Sequence, residues 1–281
     1  GAKWLSPEWT TLVAFAKSEA DRLGLGCDFT FSTAWPFGGS IVPAADACQV
    51  FDGLSTQRME KPWELGQFGR GYVLNHLDRE AVLRYGKIMG DALRPAMEGS
   101  VSGLFSDSWE VFPEGLWSVG LDRVFSDRFG YELEPFKRDL DEHPHIRYDY
   151  RVLVSEVALN AFFRPYIEIC RNLGGVSRVQ CHGAPTDLVT AFSEVDIPES
   201  EALLFEPFFS AIPASGAAIG GKPVVSCETF TCIYGYEPWP DNSPHHGRER
   251  VADLKLLADS VFANGVNHIV WHGMPYNSDD S

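Results

Sequence analysis

The sequence predicts an α/β protein, a (β/α)8 TIM-like barrel of which about six strands are visible and the first and last are missing. Three observations predict it. Short apolar runs recur, each ending on an acid, a histidine or a tryptophan. Amphipathic helical stretches separate several of them. No tandem repeat or low-complexity linker divides the chain, so residues 1–281 read as one domain. Strands buried on both faces of a parallel sheet are near-continuously apolar, and in a barrel the polar residues emerge at the C-terminal mouth.

The elements follow in order. Ser6 is a helix N-cap with Pro7 at the first position and Glu8 in the first turn. Leu12, Val13, Phe15, Ala16 and Ala20 then recur at helical spacing until Gly24. A strand is expected over 26–32, leaving through a loop that carries Trp35 and the pair Gly38 and Gly39. Residues 40–75 read as an irregular excursion over the barrel mouth. A helix over 79–96 feeds a strand over 101–106, which delivers Asp107, Trp109 and Glu110. A second, partly helical insertion spans 111–149, and a long amphipathic helix runs over about 150–173.

The strand expected over 176–181 ends on His182, and that over 193–197 leads to Glu199 and Glu201. The run 223–227 delivers Glu228. A helix over 248–263 stops at Asn264 and Gly265, and the strand 267–271 ends on Trp271 and His272. Six strands are fewer than the eight of a closed barrel. The expectation is a segment of a longer protein; an open doubly wound sheet is the alternative.

The totals exclude several classes. With 39 acids against 23 bases the net charge is −16, and no basic patch offsets it. Nucleic acid and anionic membrane surfaces are therefore poor partners, whereas a neutral sugar is compatible. No apolar run reaches the ~18–20 residues of a membrane span. Six scattered cysteines without a Cys-x-x-Cys pair suggest neither a disulfide scaffold nor zinc. The chain opens on Gly1 and Ala2 without a signal peptide, which leaves a cytoplasmic location or a leader already removed.

Several stretches, in this order, resemble glycoside hydrolase family 106, the α-L-rhamnosidases and their relatives. They are Gly24 to Asp28 with Trp35 to Gly39, Phe105 to Glu110, Arg178 to Gly183, Asp196 to Glu201, Val225 to Phe230 and His268 to Gly273. The resemblance implies a (β/α)8 catalytic domain with accessory β-sandwich domains. It also implies inversion at the anomeric carbon, a calcium ion near the sugar, and a periplasmic or secreted location. It makes Glu228 the general base.

Glycoside hydrolysis needs two carboxyls, one protonated to donate to the leaving oxygen and one ionised. Glu110, Glu199, Glu201 and Glu228 are the candidate catalytic acids. Glu228 lies between an apolar run and Phe230; its bland alternative is a solvated acid opening a helix. Glu110 follows Trp109, whose ring could desolvate it as an acid catalyst requires; an ordinary loop acid is the alternative. Glu199 and Glu201 follow Pro198 and read equally as first-turn helix acids, calcium ligands or the base in place of Glu228. Asp107 either orients Glu110, ligates a metal or bonds to a loop.

His182 and His272, each before a glycine, are expected to donate to sugar hydroxyls. Trp35, Trp109 and Trp271 are either stacking platforms or core. Asp28, inside its strand, is a buried carboxylate with a polar partner or a hydroxyl ligand. The readings that compete with an inverting α-L-rhamnosidase are a retaining β-glycosidase using Glu201 and Glu228, and a non-catalytic carbohydrate-binding fragment.

Overall fold

The computed structural model describes residues 1–32, 35–51, 55–60, 71–111, 115–202, 206–231 and 250–272. The chain forms two compact units, one of Gly1–Arg178 with His182–Asp187, the other of Val179–Cys181 with Leu188–Ser281.

The first unit opens with helix α1 (Pro7–Arg22), where the Ser6 hydroxyl accepts from the Trp9 amide at 3.2 Å. The N-terminus is as its sequence requires, but the inward face is not. Leu12 and Phe15 are exposed, and the fully buried residue is Lys17. Its ammonium donates to Asp21 at 2.6 Å and to Ser100 at 2.9 Å, so a charge is neutralised where the apolar stripe was expected to pack.

Strand β1 (Phe29–Thr30) is shorter than the expected 26–32. The excursion that follows is built of small antiparallel pairings. β2 (Gly38–Gly39), β3 (Gln49–Phe51), β4 (Thr56–Arg58) and β5 (Tyr72–Val73) form two of them, β2 with β5 and β3 with β4. Helix α2 (Arg79–Leu93) is capped by the Asp78 carboxylate, which accepts from the amides of Glu80 and Ala81. Strand β6 (Gly103–Ser106) pairs parallel to β1, Phe29 against Leu104. β7 (Leu116–Trp117) completes the three-stranded sheet with β3 and β4.

After α3 (Leu121–Phe129), the expected long helix appears as α4 (Pro144–Ala158), a π-helical turn over Leu159–Phe163, and α5 (Arg164–Asn172). Its inward residues meet α2 and the segment after β1 through rings. Phe31, Phe37, Tyr85, Phe162 and Tyr166 lie 5.6–6.5 Å apart where they touch, in edge-on and stacked pairs. Tyr166 anchors this cluster to β6 by donating to the Leu104 carbonyl at 2.8 Å. Burial pushes the phenols of Tyr85 and Tyr166 upward in pKa. β8 (Val176–Val179) follows; its last residue, Val179, already belongs to the second unit, while His182–Asp187 return to the first.

In the second unit the sequence expectation needs one correction. The expected strand over 193–197 is displaced: Leu188–Glu194 is helix α6, and the strand β9 is Ile197–Ala202. Glu199 and Glu201 therefore lie inside a strand rather than at a helix start. Alternation explains it. Glu199 and Glu201 share one face of β9, while Ser200 and Ala202 face the other way. After α7 (Ala211–Gly220) comes β10 (Ser226–Thr229), then α8 (Val251–Ala263) and β11 (His268–Trp271). β10 lies between β9 and β11 and is parallel to both.

Helices α7 and α8 cover the apolar face. Ala202 and Cys227 pack there with Ala217, Val225, Leu257, Val261 and Val266. Their opposite numbers on the other face are polar: Glu199 and Glu201 on β9, Ser226 and Glu228 on β10. The result is an α/β architecture with parallel strand pairs, consistent with an incomplete barrel; a seventh and an eighth barrel strand are not among the described residues.

Candidate active site

The polar face of β9 and β10 gathers acids at the C-terminal half of its strands. Register places Ser226 across from Glu199 and Glu228 across from Glu201. Neighbouring strands are about 4.8 Å apart, so facing side chains of the same parity are in reach of one another. Glu228 is the next-to-last residue of β10, one residue inside its C-terminal end, and is 8% exposed.

Its carboxylate is held from several sides. Oε2 accepts from the Gln180 amide nitrogen at 2.7 Å, and Oε1 accepts from the Thr231 hydroxyl at 3.4 Å. His272 Nδ1 is 3.4 Å from the same Oε1 and 2.6 Å from the Thr231 oxygen. If the Thr231 proton points to Glu228, its oxygen accepts from Nδ1–H, which fixes the histidine tautomer. Thr231 reaches back because Phe230 turns the chain. Phe230 has a φ of 79°, a left-handed conformation costly for a side chain, and its ring lies 4.4 Å from that of Trp271.

Glu199 is 0% exposed. Its Oε1 accepts from the same Gln180 nitrogen at 3.3 Å, and Oε2 accepts from the Ser226 hydroxyl at 2.6 Å. Glu201, two residues on and on the same face, is half-buried. Trp271 at the end of β11 is 61% exposed, so part of its ring is open to solvent.

The first unit carries the other candidates. Asp107 accepts from the Ser108 amide at 2.7 Å, and the Ser108 hydroxyl donates to Glu110 at 3.4 Å. Glu110 is exposed, with a φ of 46°. The Trp109 amide donates to the carbonyl of His182 at 3.0 Å, which ties the end of β6 to the residues after β8. Trp35 is half-buried and packs edge-on against Phe105, ring centres 5.5 Å apart.

Two expectations are corrected here. Trp109 is 3% exposed, enclosed by His76, Phe162 and Phe163, so no face of its ring is free for a sugar. Asp28 precedes β1 rather than lying in the C-terminal half of a strand. It accepts from the Gly103 amide at 2.6 Å and pairs with Arg178 at 3.2 Å, at the starting end of β6. Arg178 in turn lies over the Phe105 ring, 4.6 Å from its centre. Asp28 thus has the polar partner expected of it, outside the strand that was to hold it.

Calcium takes six to eight oxygen ligands, backbone carbonyls and waters among them. Among the described residues no group of three or more His, Cys, Asp and Glu side chains is placed to hold a metal ion.

Gln180, Ser226 and Thr231 are functional neighbours that the sequence reading does not name. Gln180 sat within a stretch read as apolar strand. An amide inside such a run is itself the signal, because a buried polar side chain must find partners.

No family model matches the chain. A protein of Formosa agariphila named "Putative beta-glucuronidase" is 23% identical over 232 residues, covering 79% of this chain and 17% of its own. The solved structure of a rhamnosidase from Novosphingobium sp. PP1Y superposes with a TM-score of 0.60 at 20% identity, over 77% of this chain and 22% of that one. Both carry glycosidase names. At this identity the likeness establishes the fold, and the chain spans about a fifth of either relative's length.

Proposed function

We propose that this chain is the catalytic portion of a glycoside hydrolase acting on terminal α-L-rhamnosides, on an incomplete (β/α)8 barrel. The observation that carries the reading is Glu228: a nearly buried carboxylate near the C-terminal end of a parallel strand, gripped by an amide, a hydroxyl and an imidazole. Such a group is held in one place, the condition of a general base.

In the inverting mechanism Glu228 takes a proton from water as the water oxygen bonds to the anomeric carbon. A second carboxyl gives its proton to the glycosidic oxygen as that bond breaks. Glu110, the sequence's candidate for the acid, is proposed as the proton donor. His272, with the exposed ring of Trp271, is proposed to meet sugar hydroxyls and a sugar face; His182, Asp107 and Trp35 are proposed to assist binding. Accessory β-sandwich domains, a bound calcium ion and a periplasmic or secreted location go with the same reading.

A second reading has its own support. Glu201 stands across from Glu228 on the neighbouring strand, which suits the closer carboxyl pair, about 5–5.5 Å, of a retaining enzyme rather than the roughly 6.5–9.5 Å of an inverting one. Glu228 would then be the nucleophile and Glu201 the acid/base.

The test is turnover of an aryl α-L-rhamnoside and of an aryl β-glucuronide by the parent and by Glu228→Gln, with the first-formed anomer read by proton NMR. The proposal expects rhamnoside hydrolysis with inversion, reduced by about 10²–10⁴-fold in the variant. Retention selects the second reading. Sugar binding without turnover of either substrate in the parent identifies a carbohydrate-binding fragment instead.

A further inference from the structure

Behind Glu228 lies a chain of hydrogen bonds that has no part in the bond changes of the reaction. Gln180 is 1% exposed, and its single amide nitrogen stands between two carboxylates, 2.7 Å from Glu228 and 3.3 Å from Glu199. An amide nitrogen has two hydrogens and no lone pair to offer, so it can only donate. Both hydrogens are used, one on each acid. The opposite side of the amide, Oε1, is buried without a hydrogen-bond partner among the described residues, which agrees with an orientation set by the carboxylates rather than by the carbonyl. Glu199 is in turn held by the Ser226 hydroxyl at 2.6 Å.

We propose that Gln180 is a positioning residue for Glu228, and that Glu199 is the anchor of that residue rather than a second catalytic acid. This rests on the glycosidase reading of Glu228. Three features carry it. Glu199 is wholly enclosed, so no substrate atom reaches it. Its two oxygens are directed to Ser226 and Gln180. Ser226 and Glu228 alternate on one strand, so the chain Ser226, Glu199, Gln180, Glu228 closes on β10 itself and fixes the Glu228 carboxylate relative to its own backbone.

The experiment uses the full chain with Gln180→Met, Gln180→Glu and the exchange pair Gln180→Glu with Glu199→Gln. Gln180→Met keeps the volume and removes both donors. It is expected to lower kcat by about 10²-fold, the cost of a reacting group misplaced by about 1 Å, with KM unchanged. Gln180→Glu is expected to lose at least as much, because three carboxyls then meet at one point. In the exchange pair the new amide at 199 donates to the new acid at 180, so the melting temperature recovers relative to Gln180→Glu. Two acids still face each other at 180 and 228, and kcat stays low.

Recovery of kcat in the exchange pair would overturn the proposal, as would unchanged kcat in Gln180→Met. A crystal structure of Gln180→Met gives the readout that does not depend on turnover. Glu228 turned from its place supports the positioning role, and Glu228 unmoved overturns it. If the parent hydrolyses no glycoside, the functional reading fails and that structure alone decides the role of Gln180.

Discussion

Glu201 of β9 lies directly across from Glu228 of β10, on the same polar face of two parallel strands. Two acids in that relation are either an acid/base pair or one reactive group with a polar neighbour. Leaving-group dependence separates the two. If Glu201 donates the proton, Glu201→Gln lowers kcat/KM by about 10²–10⁴-fold on an unactivated rhamnoside. The loss is much smaller on a dinitrophenyl glycoside, whose leaving group needs no proton. An equal loss on both substrates assigns Glu201 to sugar binding.

Thr231 and His272 reach Glu228 Oε1 together, and the 2.6 Å contact between them joins them in series. Thr231→Val removes one hydrogen bond to Glu228, worth about 0.5–1.5 kcal/mol, and is expected to lower kcat by up to about tenfold. His272→Ala on that background is expected to add less than it does alone, since residues of one network are not independent. Full additivity in the double variant would show that they act separately.

How far the sequence reveals this site depends on what each residue announces locally. Ser6 with Pro7 fixes the start of α1, and Asn264 with Gly265 its counterpart at the end of α8, because caps are local chemistry. Glu228 stands out because an acid closes an apolar run. Glu199 and Glu201 are read from the sequence in the wrong setting. Pro198 followed by two acids has the local signature of a helix start, and only pairing with β10 holds it as strand. Lys17 is similar: its burial depends on Asp21 one turn away and on Ser100, a residue 83 positions distant. Gln180 gives no local sign of its two partners, which lie 19 and 48 residues further on.

Gly216 in α7 tests the packing under the site. Alanine there gains helix propensity, about 0.8–1.0 kcal/mol over glycine. Its Cβ, however, would lie 2.5 Å from the Phe192 Cβ and 3.0 Å from the backbone carbon of that residue. Backbone cannot yield as a side-chain tip can, and overpacking costs about 1–3 kcal/mol. The clash exceeds the propensity gain, so Gly216→Ala is expected to lower the denaturation midpoint in urea. A raised midpoint would mean that α6 and α7 separate easily.

The Lys17–Asp21 pair predicts an acid limb of stability. The Lys17 ammonium, with help from the Ser100 hydroxyl, holds the Asp21 carboxyl below its ordinary value of 3.8. A depressed carboxyl means that the unfolded chain binds the proton more readily than the folded one. The stabilisation is therefore complete above the unfolded value and is lost as pH falls through the lower, folded value. Asp21→Asn lacks it at every pH. Its melting temperature is expected to fall furthest below that of the parent near pH 7, and the gap to narrow as pH drops below 3.8. Thermal melts of both proteins across that range check the sign, and a gap that widens in acid would show that Lys17 takes its stability from Ser100 instead.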